Sequence, residues 1–374
     1  MKIAMYGHKR VPSREGGVEI VVEELSTRMV RKGNQVTCFN RGGKGVNSEN
    51  FQKKYDYKGI HIKTVPTIDK KGLAAVSSSF FASIVTALGK SEIVHIHAEG
   101  PAFFAWIPKL FRKKIVVTVH GLDWQREKWK GGFASWFIRK GEEHAVRYAD
   151  EIIVLSKNVE QYFWEKYNRK TRFIPNGVNR PEIKEADQIQ KQFGLKKNEY
   201  LLFLGRLVPE KGLTYLLEAF SKVDTNLKLV IAGGSSDTDE FERKLKAKAQ
   251  KDSRIIFTGF VQGELLEELY SNAYIYVLSS DLEGMPLSLL EAMSYGNCCL
   301  VSDIKELTEV VEDRAVTFPK GNVAVLTEKL QYLCNHPEKV EIYKKDAADF
   351  ICEKYDWNLV TDETLQLYKE IRKK

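Results

Sequence analysis

Tyr274-Ile-Tyr-Val-Leu278-Ser-Ser-Asp-Leu-Glu283-Gly-Met-Pro286-Leu-Ser-Leu-Leu-Glu291-Ala-Met-Ser-Tyr295-Gly-Asn-Cys-Cys-Leu300 reads as strand, loop and helix. Tyr274 to Leu278 is a short apolar run of β-favouring residues. Ser279 to Pro286 has turn composition. Leu287 to Tyr295 has helical spacing, and Gly296 suits its end. With a start near Met285 or Pro286, Glu291 lies one to two turns in and Glu283 just ahead of the helix. The first backbone N–H groups of a helix lack intrahelical partners and favour anionic or hydroxyl-rich ligands. Two carboxylate acceptors beside that row of donors suit a polyol. The alternative is an acidic cap and a solvated glutamate.

The same strand–helix alternation runs through the chain. Lys2 to Tyr6, Gln35 to Phe39, Ile93 to His97, Lys114 to Val119 and Asp150 to Leu155 read as strands in the first half. Leu201 to Leu204, Lys228 to Ala232, Ile255 to Thr258, Tyr274 to Leu278 and Cys298 to Ser302 do so in the second. Helical segments between them imply parallel sheets with right-handed crossovers. The fold class is α/β, with two Rossmann-like domains.

The chain has 374 residues, 43% hydrophobic and 29% charged, which excludes a disordered chain and allows two domains. The N-terminus reads as a strand and not as a leader. Five cysteines without Cys-x-x-Cys spacing, Cys298 and Cys299 in an apolar run, fit buried thiols and a cytoplasmic location. Net charge is +8, unevenly placed: residues 1–175 hold 31 Lys+Arg against 17 Asp+Glu, and the remainder 27 against 33. A basic first half points to an anionic partner or serves solubility. No stretch carries a nucleic-acid motif.

Gly16-Gly17-Val18-Glu19 opens a helix with Val18, Val21, Val22, Leu25 and Met29 on one side. Two glycines there let a phosphate approach unpaired amides, or simply make a turn. Gly72 to Gly89 has no charged residue. Its serines and threonine argue against a membrane span and for a buried or interfacial helix. His95 and His97 share one face of a strand, as a metal pair or as core histidines. His120-Gly121 follows a buried-type strand, where ligands of open α/β sheets bind. Trp124, Lys128, Trp129, Lys130, Phe133, Trp136, Phe137, Arg139 and Lys140 form an aromatic–basic stretch, read as membrane-interfacial or as a helix packed on its domain. Arg206 and Lys211 are two cations around a turn and helix start, suited to a diphosphate, or to a salt bridge with Glu210. Asp237-Thr238-Asp239 matches a metal-binding Asp-x-Asp but reads as a solvated loop.

Glu283-Gly-Met-Pro-Leu-Ser-Leu-Leu-Glu291 resembles the Glu-x7-Glu signature of glycosyltransferase family 4, which has the GT-B fold. Gly205-Arg206-Leu207-Val208-Pro209-Glu210-Lys211-Gly212 resembles that family's Gly-Arg-Leu-x-x-x-Lys-Gly segment. Ile174-Pro175-Asn176-Gly177-Val178, the Gly16-Gly17 loop and His120-Gly121 are weaker supports, and the resemblance covers nearly the whole chain. It implies two Rossmann-like domains facing across a cleft: an acceptor domain at 1–178, a donor domain at 179–357, and a last helix, 358–374, crossing back to the first.

For the site, the resemblance implies that Arg206 and Lys211 hold the diphosphate of a nucleotide sugar. Glu283 approaches the sugar hydroxyls, with the amides of Gly284, Met285, Pro286 and Leu287 alongside, although proline carries no N–H. Glu291 accepts from the ribose, and the Val261 backbone lies beside the base. Gly16 and Gly17 close the pyrophosphate pocket, and His120 lies near the reacting sugar. It further implies retention of configuration, no cofactor and no required metal. The acceptor is a glycan or polyprenyl-diphosphate-linked chain in surface polysaccharide or capsule synthesis. The basic half adds an expected peripheral contact with the inner face of an anionic plasma membrane. The glutamates are not a glycosidase pair. A GT-B sugar-nucleotide epimerase and a non-enzymatic two-domain sugar-binding protein are the alternatives.

Overall fold

The computed structural model describes residues 1–43, 54–70, 72–125, 132–235 and 239–374. The chain divides into two compact units, Met1–Gly177 with Trp357–Lys374, and Val178–Asp356. Each is an α/β layer structure.

The first unit holds eight strands: β1 (Lys2–Tyr6), β2 (Gln35–Arg41), β3 (Lys54–Tyr57), β4 (Ile60–Val65), β5 (Ile93–His97), β6 (Lys114–Val119), β7 (Glu151–Val154) and β8 (Arg172–Phe173). Their order is β3-β4-β2-β1-β5-β6-β7-β8. All neighbours are parallel except β3 and β4, an antiparallel hairpin that the sequence reading missed. Polar β3 is the edge strand, while β4 lies inside the sheet and alternates buried Ile60 and Ile62 with exposed His61 and half-buried Lys63, a pattern of only six residues. Central strands β1 and β5 are buried almost throughout, as parallel strands covered on both faces must be. The Gly17–Arg31 helix buries Val21, Val22, Leu25 and Met29 of the face read from its spacing, while Val18 in its first turn is half-buried.

The Trp357–Lys373 helix belongs to this first unit. Its Tyr368 hydroxyl reaches His95 Nδ1 at 2.6 Å, and Lys32 pairs with Asp362 at 2.8 Å. Gly177 meets the Trp357 indole so closely that a Cβ would fall 2.5 Å from its Cδ2.

The second unit holds β9 (Tyr200–Leu204), β10 (Lys228–Ala232), β11 (Ile255–Gly259), β12 (Ile275–Leu278), β13 (Cys298–Ser302) and β14 (Val316–Phe318). They form one parallel sheet in the order β11-β10-β9-β12-β13-β14. Cys298 and Cys299 are fully buried in β13, the core thiols expected. In each sheet the strand order reverses once, between β1 and β5 and between β9 and β12. Crossover helices leave for opposite faces there, which opens a crevice beyond the carboxyl ends of the strands.

Candidate functional site

At the switch point of the second sheet, β9 runs into Gly205-Arg206 and β12 into the loop carrying Glu283. A 3-10 turn, Pro209–Lys211, ends on Gly212 at φ +65° before the Leu213–Phe220 helix begins. The Ser279 hydroxyl donates to the carbonyls of Lys211 and Gly212, both at 3.1 Å. Asp281 N–H donates to the Glu210 carbonyl at 2.8 Å. The two loops are thus stitched together along their backbones.

This stitching places Lys211 Nζ 2.6 Å from Glu283 Oε1. Their side chains are 11% and 9% exposed. Lys211 therefore pairs with Glu283 and not with its sequence neighbour Glu210. The Ser280 hydroxyl donates to the same Glu283 oxygen at 2.5 Å. Arg206 is half-buried and forms no ion pair among the described residues. It follows Gly205 at the end of β9, five residues before Lys211.

The helix after this loop is Leu287–Ser294, with Pro286 as its extended N-cap and no capping side chain. It starts at Leu287, the first residue of the helical spacing, because Pro286 holds ψ at 118°, outside the helical range. Two buried tyrosines fix it. Tyr276 on β12 donates to Ser288 Oγ at 2.9 Å, and Tyr270 donates to Glu291 Oε2 at 3.0 Å. Burial raises both phenols well above their usual values, so they act here as neutral donors. Tyr270 then orients Glu291, a role no local motif announces. Val261, buried, follows the carboxyl end of β11.

Gly16, Gly17 and His120 lie in the first unit, at the same end of its sheet. The loop before Gly16 is anchored by Asn40, whose side chain bonds both Val11 N–H and Val11 carbonyl, at 3.0 and 2.9 Å. Glu19, buried in the first turn of the helix, accepts from Lys9 N–H at 2.8 Å. The glycine loop is therefore tethered from both sides.

His120 Nε2 lies 3.1 Å from His97 Nδ1, so one N–H is shared between the rings. His95 and His97 do share a face, with ring centres 4.2 Å apart. Both His95 nitrogens are engaged, by Thr118 Oγ1 and by Tyr368, each at 2.6 Å. That is a core histidine's environment. Burial lowers His95 to about 3 and His8 to about 4, and holds His97 well below its usual value.

A group whose folded pKa is depressed keeps its full contribution above the unfolded pKa and loses it as pH falls toward the folded one. Each of these histidines should therefore subtract up to about 1.4 kcal/mol of stability per pH unit below about 6.5. We predict that His95→Gln flattens the acid slope by about one proton. Urea unfolding followed between neutral pH and about 4.5 reads this directly. An unchanged slope would mean that His95 is charged in the folded state.

Beside the histidines sits a carboxyl cluster that sequence reasoning missed. Glu99 and Glu142 are both fully buried. Burial, and then Asp123, push Glu99 well above the usual carboxylate range. Burial also pushes Glu142 up, but hydrogen bonds from Glu99, Tyr167, Lys166 and Tyr162 outweigh it and hold Glu142 low. Glu99 Oε2 accepts Asp123 N–H at 2.9 Å. This fixes the loop that follows His120. The two acids are 43 residues apart, so only the fold brings them together.

The aromatic–basic stretch divides. Trp124 is held inside, donating to Glu142 at 3.1 Å under the Arg139 guanidinium. Phe137 is buried, while Phe133 and Trp136 are exposed. Lys128, Trp129 and Lys130 lie outside the described residues, as do Asp237, Thr238 and the side chain of Asp239.

Residues 15–180 match the family model Glycosyltransferase Family 4, and residues 185–350 match Glycosyl transferases group 1. An uncharacterized glycosyltransferase of Methanocaldococcus jannaschii is 27% identical, covering 99% of this chain and 98% of its own. The GDP-mannose:cellobiosyl-diphosphopolyprenol alpha-mannosyltransferase of Xanthomonas oryzae pv. oryzae is 26% identical, covering 77% and 76%. The Anabaena protein HepE, solved with UDP-glucose, superimposes with a TM-score of 0.80 at 16% identity over 99% of this chain and 100% of its own. The two family matches follow one another along most of the chain, on two Rossmann-like units, and the chain is a glycosyltransferase of the GT-B fold.

Proposed function

We propose that the chain moves a hexose-type sugar from a nucleoside-diphosphate sugar to a glycan or polyprenyl-diphosphate-linked acceptor, with retention of configuration. The observation that carries this reading is the buried Lys211–Glu283 pair at the switch point of the second sheet, on the loop that Arg206 opens. Sugar transfer leaves growing negative charge on the departing diphosphate. Preorganised cations there lower the barrier most effectively. Arg206 offers a bidentate fork and Lys211 a point charge already held in place by Glu283.

The remaining roles follow the same chemistry. Glu283 keeps acceptor capacity for sugar hydroxyls, and the loop 284–287 leads donors toward them. Glu291, oriented by Tyr270, accepts from the ribose, and Val261 lies by the base. Gly16 and Gly17 border the pyrophosphate, and His120 stands near the reacting sugar. No metal is assigned, because the two cations carry the charge a metal would. The Xanthomonas relative's lipid-linked acceptor and the nucleotide sugar bound to HepE support the substrate classes. An acceptor of that kind fits surface-polysaccharide or capsule synthesis at the inner face of the plasma membrane.

The test is thermal stabilisation by UDP, dTDP, GDP and ADP, with and without EDTA. At a hundredfold excess over Kd, a ligand specific to the folded state adds about 2.7 kcal/mol. The expected result is a shift with one nucleotide, indifferent to EDTA and lost in Arg206→Ala. No shift with any of the four would remove the donor-site assignment, and a shift abolished by EDTA would restore a metal.

A further inference from the structure

The Leu73–Leu88 helix is apolar on both faces: Val76, Phe81 and Ile84 pack against the core half-buried, and further large apolar residues face outward. The residues it buries are Ser77, Ser78, Ser79, Ala82, Ser83, Thr86 and Ala87, all small or hydroxylated. Their hydroxyls are satisfied within the helix: Ser77 and Ser79 donate to the Leu73 and Ala75 carbonyls at 2.8 and 2.7 Å, and Ser83 to Phe80 at 2.6 Å. Burying them strands no polar group. Leu73, Phe80, Val85 and Leu88 face outward instead, Leu88 at 69% exposure. A helix on a water-facing surface carries polar residues on its outer face.

The exposed face continues onto its neighbour. At the end of the Trp106–Leu110 helix, Leu110 is 71% exposed and Phe111 follows it outward. Lys113 Nζ donates to the Gly89 carbonyl at 2.6 Å, so the carboxyl ends of the two helices meet. Ring contacts carry the patch further, from Phe80 to Phe104 at 5.5 Å and from Phe103 to Trp136 at 6.0 Å. Beneath it lies a packed cluster of Ala87, Phe104, Ile107 and Phe137. A contiguous apolar surface over its own packed layer is a docking face, since water disfavours one of this kind.

Charge identifies the occupant. Residues 70–114 hold seven Lys and Arg against two Glu, and of these Lys109 and Lys114 pair with Asp150. Lys90 and Arg112 are exposed and form no ion pair among the described residues. An apolar face with cationic residues around it matches the boundary between acyl chains and anionic headgroups. At 16 residues the helix is about 24 Å long, short of the roughly 30 Å of a bilayer core. No helix among the described residues is long and apolar enough to cross a membrane. We infer that the Leu73–Leu88 helix and the end of the Trp106–Leu110 helix lie in the surface of an anionic bilayer. This deepens the membrane-side acceptor reading above and rests on it for its purpose, while its observations are separate.

Flotation of the full chain with vesicles tests it. One set is phosphatidylcholine, the other phosphatidylcholine with one-third phosphatidylglycerol. The protein should float with the anionic set, and Phe80→Ser/Leu88→Ser should lose about tenfold or more of that partitioning. Lys90→Glu/Arg112→Glu should lose the preference for anionic lipid. All changed side chains are exposed, and the single Leu88→Ser repeats the test with the least disturbance of packing. Turnover on a soluble acceptor should be unchanged in every variant, which separates failure of the docking face from failure of the transferase reading. Wild type remaining with the soluble fraction, or variants floating as wild type does, would overturn the inference. So would a dimer that Phe80→Ser/Leu88→Ser dissolves, which would make a second copy the occupant.

Discussion

Lys211→Met should lower sugar transfer by about a hundredfold or more and cost about 3–5 kcal/mol of stability. Both effects come from one contact. Lys211 Nζ stands 2.6 Å from a Glu283 carboxylate that is almost out of solvent. Removing the ammonium leaves that carboxylate with Ser280 as its remaining neighbour at the engaged oxygen. Adding Glu283→Gln removes the stranded charge, so the double variant should recover most of the lost stability. It should not recover turnover, because the diphosphate still lacks its cation. Urea unfolding and initial rates on the same four proteins complete the double-mutant cycle. Near-normal turnover in a folded Lys211→Met protein would take Lys211 out of the reaction and leave it a structural ion-pair partner.

Gly212→Ala should be nearly as damaging, for a reason unrelated to charge. Gly212 sits at φ +65°, and a Cβ there would fall 1.9 Å from the Ser279 carbonyl oxygen. That carbonyl directly follows β12 and cannot retreat without moving the loop that carries Glu283. Left-handed strain and overpacking together should cost about 2–5 kcal/mol. Gly321→Ala is the control. It has φ +72°, but its nearest neighbour would be Tyr215 Cζ at 3.9 Å. Strain alone should cost it about 1–2 kcal/mol. Equal losses in the two variants would show that the close approach to Ser279 is not what requires glycine.

Much of the sheet architecture was legible. Five strands of the second unit were read from apolar runs, because parallel strands covered on both faces are apolar throughout. Three-residue β14 fell below what periodicity resolves. In the β3–β4 hairpin, β3 has four largely polar residues at the edge, and the buried alternation of β4 spans only Ile60 to Val65. The site was legible as motifs but not as contacts. Lys211 and Glu283 were each singled out, yet their pairing spans 72 residues and depends on how two strand ends lie side by side. Tyr270 and Tyr276 carry no motif, and their work is visible only once they are buried. The stretch from Gly72 to Gly89 was recognised as uncharged. Which face it buries was not readable, since apolar residues stand on both its inner and its outer face.

The return of the Trp357–Lys373 helix to the first unit has a consequence for synthesis. Val178–Asp356 is a continuous segment and is complete as soon as its last residue has emerged. The unit begun earlier is finished later. Its buried His95 gains Tyr368 only after some 180 further residues have been made, about 10–40 s at ordinary translation rates. During that interval the surface that receives the helix is exposed, and a nascent chain held there is open to chaperones and proteases. The order of completion along the ribosome is therefore the reverse of the order in which the two units start.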